Sequence, residues 1–140
     1  MEHYDPWAAL DDLPDVTVRW RHQHPCGLYH HFDRTISLRI GLTDAQERCT
    51  LAHELVHAER GDCGLSEVAL NARQELIVER EAARRLISLP ALTEAVRWSC
   101  HPGELAELLH VDLGTLRARL RSLTDAERLA LDEASAEHAA

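Results

Sequence analysis

The sequence predicts an α+β fold: one domain with a small antiparallel sheet followed by a bundle of helices. Three observations carry this. Stretches of strand-like alternation are confined to about the first 40 residues. Beyond residue 43 the apolar positions recur at helical spacing between capping signals. The chain has 140 residues, enough for one core and short for two, with no internal repeat and no linker, so 1–140 reads as a single domain.

Residues 1–15, rich in Asp, Pro and Trp, read as an irregular N-terminal segment. Residues 16–20 alternate as a strand, and 21–27 break it with His22, His24, Pro25 and Cys26. Two further strands are expected at 28–32 and 35–40 around Asp33-Arg34, and a meander is their simplest arrangement. Gly41-Leu42-Thr43 ends the sheet. Thr43 with Gln46 three residues on forms a capping box, so a helix should run from Asp44 to about Arg60, where Gly61 can stop it. After a loop over 62–66, a long helix is expected from Glu67 to near Pro90, then a short one over 92–98. Residues 104–123 resemble a helix-turn-helix pair packed on the core. Thr124 with Glu127 opens a terminal helix whose Ala-rich end, 133–140, should fray.

Acids outnumber bases 24 to 15, for a formal charge of −9, and every base is Arg. That balance argues against a broad nucleic-acid footprint, although Arg117, Arg119 and Arg121 in the second helix of the 104–123 pair invite a DNA reading. No apolar run is long enough to span a bilayer and no export signal opens the chain, so a cytoplasmic protein without membrane contact is expected. Cys26, Cys49, Cys63 and Cys100 form no Cys-x-x-Cys pair and read as reduced thiols.

The chemistry is concentrated in His53-Glu54-Leu55-Val56-His57. Residues four apart share a helical face, so His53 and His57 can present two imidazoles to one ion. Glu54 is then placed to take a proton from a water. With 10 His and 14 Glu, chance would supply this pentapeptide about once in fifteen such chains. Its position within a capped helix, among Leu51, Ala52, Leu55 and Val56, strengthens it. On the next helix Glu75 and Glu79 lie one turn apart and either can reach the ion; the small pair Ala82-Ala83 favours Glu75 by letting the helices approach closely. The alternative is a solvated face in which these acids and Glu81 pair with Arg73, Arg80, Arg84 and Arg85. Cys49 reads as a buried apolar thiol. Cys63 could complete a closed structural site, and His22, His24 and Cys26 read as a polar loop.

The run Arg48-Cys49-Thr50-Leu51-Ala52-His53-Glu54-Leu55-Val56-His57, with Glu75, Glu79, Ala82-Ala83, Leu86-Ile87 and Pro90, resembles the ImmA/IrrE family of metallopeptidases. The resemblance covers residues 43–90. It implies a minimal, gluzincin-like zincin fold, a Zn2+ cofactor, Glu75 as third ligand and Glu79 supporting a ligand imidazole. It also implies hydrolase action on a protein substrate, a helix-turn-helix repressor or similar regulator of a phage, prophage or stress response. Glu79 stands where Asn is usual, and Cys49 replaces a bulky residue. An extended substrate would pair with the strand over 35–40, and Tyr29, His30 and His31 are candidate oxyanion donors. The competing readings are a non-enzymatic, zinc-stabilised interaction or regulatory protein, and a DNA-binding regulator using 104–123.

Overall fold

The computed structural model describes residues 3–64 and 68–139. It is α+β, with a three-stranded sheet and helices that follow it. The chain opens on a short helix, α1 (Pro6–Asp11), where an irregular segment was expected. Asp5 accepts the Trp7 N–H at 2.9 Å and Pro6 occupies the first turn, two start signals that the polar composition of 1–15 had obscured.

The strands are β1 (Thr17–Arg21), β2 (Gly27–His30) and β3 (Thr35–Arg39), in the order β1-β3-β2. β2 runs antiparallel to β3, but β1 runs parallel to it, in register from Thr17 opposite Thr35 to Arg21 opposite Arg39. The sheet is therefore mixed, not the antiparallel meander expected. Burial explains the order. Thr35, Ile36, Ser37 and Leu38 are all buried, and a strand with no exposed flank takes the centre, where both edges are paired. A meander would have centred β2, whose Leu28 and His30 are exposed.

α2 (Asp44–Arg60) starts at the expected capping box: Gln46 N–H donates to Thr43 Oγ1 at 3.2 Å, and Thr43 N–H donates to Gln46 Oε1 at 3.0 Å. It ends at Gly61, whose φ of +72° is the left-handed value that glycine tolerates. α3 (Val68–Leu86) follows; Glu67 and the end of the preceding loop lie outside the described residues. Then come α4 (Leu89–Trp98), α5 (Pro102–Leu109), α6 (Leu113–Arg121) and α7 (Asp125–Ala139). α4 starts three residues earlier than expected because Ser88 caps it and Pro90 sits in its first turn. α7 is helical through 133–139, where Arg97 bonds Glu137 at 2.7 Å and the Arg97 carbonyl meets His138 Nδ1 at 3.0 Å. No helix is long and apolar enough to cross a membrane among the described residues.

Two cores share α2. Leu51, Leu55 and Ala58 pack with Val16, Ile36 and Leu38 of the sheet side, while Cys49, Ala52 and Val56 pack among α3 to α7. Arg48 ties the layers together by donating to the carbonyls of Tyr4 (3.0 Å), Leu86 (3.3 Å) and His110 (2.9 Å). Two of these carbonyls, those of Leu86 and His110, sit at helix C-termini, where the intrahelical ladder runs out. The α5–α6 pair is packed into the larger core through Leu105, Leu109, Val111 and Leu116. Arg119, one of the three arginines of α6, points inward: it is 4% exposed and donates to Ile87 O at 2.7 Å and to Glu127 Oε2 at 2.8 Å.

Removing the Arg119 guanidinium strands a buried carbonyl and a partly buried carboxylate. Arg119→Ala should therefore lower the unfolding free energy by about 2–3 kcal/mol in urea titration. Arg117→Ala, at an exposed position, should stay within about 0.5 kcal/mol. Equal effects of the two substitutions would refute the inward role of Arg119.

Candidate metal centre

The third stripe of α2, left free by the two cores, carries Thr50, His53, Glu54 and His57. Across from it, α3 brings Glu75 between the two imidazoles. Glu75 Oε2 lies 3.0 Å from His53 Nε2 and Glu75 Oε1 lies 2.9 Å from His57 Nε2. The donor atoms of His53, His57 and Glu75 all fall within 4.8 Å of one another, and this group could hold a metal ion.

The second nitrogen of His57 bears on that fit. Its Nδ1 is 2.9 Å from Asp62 Oδ2. An ionised carboxylate only accepts, so Nδ1 carries the proton and donates. In the neutral ring Nε2 then keeps its lone pair, facing a Glu75 oxygen at 2.9 Å. Two acceptors that close need a shared proton or a cation between them. Asp62 is also braced, accepting from Arg60 Nε and Gln74 Nε2, each at 3.0 Å. Two imidazoles and a carboxylate, one imidazole oriented by a second carboxylate, make a donor set suited to a divalent ion.

Asp62 was missed by sequence reasoning, which gave the supporting role to Glu79. Glu79 lies close enough to raise the proton affinity of His53 but makes no hydrogen bond to it among the described residues. It points instead into a neighbouring cleft. The signal for Asp62 lay in the helix stop. Gly61 N–H bonds Ala58 O at 3.2 Å and Asp62 N–H bonds His57 O at 3.1 Å, a pairing that folds the chain back over the last turn. A carboxylate at the residue after Gly61 is thereby returned to His57.

Burial pushes His53 down, but Glu75, with Glu54 and Glu79, outweighs it and holds the imidazole above its usual range. Hydrogen bonding to His53 chiefly keeps Glu75 below the usual carboxylate range. Glu54 goes the other way: it is 6% exposed, and burial raises it despite the attraction of His53 and His57 and a hydrogen bond from the Tyr29 backbone N–H.

That N–H belongs to β2, which lies directly against α2. Gly27 permits the approach, since a Cβ there would overlap Thr50 and come within 3.1 Å of Glu54 Cγ. β2, not the central β3, is thus the sheet edge at the site, and the expected pairing surface over 35–40 is corrected accordingly. Gly27, His53 and Glu54 border two clefts, of about 430 Å3 toward α6 and about 270 Å3 toward Asn71 and Gln74.

Of the candidate oxyanion donors, Tyr29 borders the smaller of these two clefts, and its hydroxyl is held by Arg34 at 2.6 Å and His31 at 3.1 Å. His30 meets Ser37 Oγ at 3.3 Å. Cys49 is buried, as expected, while Cys63 is exposed and belongs to no metal-binding group among the described residues. The salt-bridged alternative holds for Glu81, which pairs with Arg84 and Arg85, but not for Glu75. No protein-family model, curated protein or solved structure matches this chain.

If Asp62 orients His57, Asp62→Ala should weaken metal affinity about 10- to 100-fold in a competitive chelator titration. Glu79→Gln should change it by less than about 3-fold, since no hydrogen bond is lost. The opposite ranking would return the supporting role to Glu79.

Proposed function

We propose that this chain is a zinc-dependent endopeptidase with a minimal zincin-type centre. The observation that carries the proposal is the position of Glu54: buried beside both imidazoles, fixed by the Tyr29 N–H, and placed where the two clefts meet beneath the edge of β2. Two histidines and one carboxylate leave a fourth position open, the arrangement of catalytic rather than structural zinc sites. Zn2+ bound there would supply Lewis acidity, polarising a carbonyl and acidifying a water.

The remaining roles belong to the protein. Glu54 takes the proton from the attacking water and passes it to the leaving amine. Its burial strengthens it as a base relative to a solvated carboxylate. Asp62 holds His57 in one tautomer. β2 is the edge strand beside Glu54, so an extended peptide added along it would pass over Glu54 and compete with it for the Tyr29 N–H. The substrate class rests on the resemblance of residues 48–57 to the ImmA/IrrE family: a helix-turn-helix repressor or similar regulator.

Glu54→Gln should keep one zinc per chain while cleavage of a helix-turn-helix repressor encoded beside the gene falls at least about 100-fold. Glu75→Ala should lose the metal. Undiminished cleavage by Glu54→Gln would remove Glu54 from the chemistry, and loss of its zinc would make it a ligand.

A further inference from the structure

Where α4 and α5 meet, two surface grooves share a ridge. Trp98 and Leu108 border both grooves, and they are 72% and 46% exposed. Neither groove has a residue in common with the two clefts at the metal centre. The Trp98 ring is held in place despite its exposure. Its Nε1–H donates to Glu94 Oε1 at 3.3 Å, and Glu94 Oε2 accepts from Arg97 at 2.9 Å. An indole fixed in this way loses little freedom when a partner covers it, and tryptophan is prominent among the side chains that carry binding energy.

Charge decides what covers the ridge. The first groove, of about 430 Å3, carries the carboxylates of Glu104 and Glu107. Glu104 accepts the Ser99 hydroxyl, and neither acid has a cationic partner among the described residues. The imidazole on the same wall, His110, meets the His3 ring edge-on at 5.5 Å. Arg97, beside Trp98 in the chain, is already committed to Glu94 and Glu137. The second groove, of about 200 Å3, is floored by Ala91, Ala95 and Leu109 and bordered by His3 and the engaged Glu94. An acidic segment laid here would meet like charge, and a wholly apolar one would desolvate two unpaired carboxylates. A guanidinium satisfies both sides, stacking on the indole while its N–H groups reach the carboxylates.

We propose that this face docks a partner protein through a basic segment in which an arginine adjoins an apolar residue of leucine size. The arginine lies over Trp98 toward Glu104 and Glu107, and the apolar side chain enters the second groove. The proposal does not rest on the metallopeptidase reading, since the two surfaces share no residue.

The experiment follows the indole N–H signals of the isotope-labelled whole protein by NMR. The probes are the blocked hexapeptide Ala-Ala-Arg-Leu-Ala-Ala and its versions with citrulline or glutamate in place of arginine. The Trp98 signal, assigned as the one lost in Trp98→Phe, should move and saturate with the arginine peptide. The citrulline peptide, uncharged but of the same shape, should bind at least about threefold more weakly, and the glutamate peptide should leave the signal in place. The double variant Glu104→Gln/Glu107→Gln, at exposed positions, should weaken the arginine peptide by at least about threefold. A Trp98 signal unmoved by the arginine peptide, or equal binding of the three peptides, would overturn the proposal. So would unchanged affinity in the double variant. A Trp98 signal that moves on dilution of the protein alone would overturn it as well, by making a second copy of the chain the occupant.

Discussion

Leu51, Leu55 and Ala58 hold α2 against the sheet, and Cys49, Ala52 and Val56 hold the same helix against the bundle. Each large side chain buried in this way contributes on the order of 1.5–3 kcal/mol. With two of its three sides committed, the helix can neither roll nor slide without exposing one core. His53, Glu54 and His57 occupy the remaining side, so their mutual geometry follows from the packing of their neighbours. Arg48 adds to this by bonding carbonyls from the N-terminal segment, α3 and α5. The second residue after it, Thr50, is in contact range of Gly27, where β2 crosses. A rigid support of this kind is what a site needs when its donors must converge within a few ångströms.

The features legible in the sequence are those with local causes. The capping box at Thr43, the stop at Gly61 and the pairing of His53 with His57 depend on residues a few positions apart. The sheet order does not. β1 pairs with β3 across the intervening β2, and the preference arises because Ile36 and Leu38 require cover that only a central strand receives. Alternation shows that a strand exists, and is silent about which neighbour it takes. α1 is the reverse case: its signal, Asp5 before Pro6, is local and was outweighed by the composition of the segment around it.

The choice between Glu75 and Glu79 shows the same limit at the site. A spacing of four puts both on one face of α3, and helical periodicity cannot separate them. The separation comes from where α3 crosses α2. Glu75 falls at the level of the imidazoles, whereas Glu79, one turn on, falls beside Ala82 and Ala83 at the cleft. The small pair that lets the two helices approach thus also opens the space into which Glu79 projects. Asp62 then serves where a supporting acid on α3 was expected, because the helix stop delivers it to His57 from the opposite direction.

The electrostatics of the centre follow from this crowding. Glu54, Glu75 and Asp62 surround two imidazoles, with Glu79 adding its field from one turn away. Carboxylates this close repel one another, and partial burial reduces the screening that water would give. The arrangement becomes favourable when positive charge sits among them, whether protons on the imidazoles or a divalent ion between them. Both occupants would use the same Nε2 lone pairs, so a metal ion and protons there exclude one another. A fold that was merely tolerating acidic surface residues would have no reason to direct them at a buried helix face. Here three of them converge on it from α2, α3 and the loop after Gly61, and the net charge of −9 carried by the chain deepens the same field.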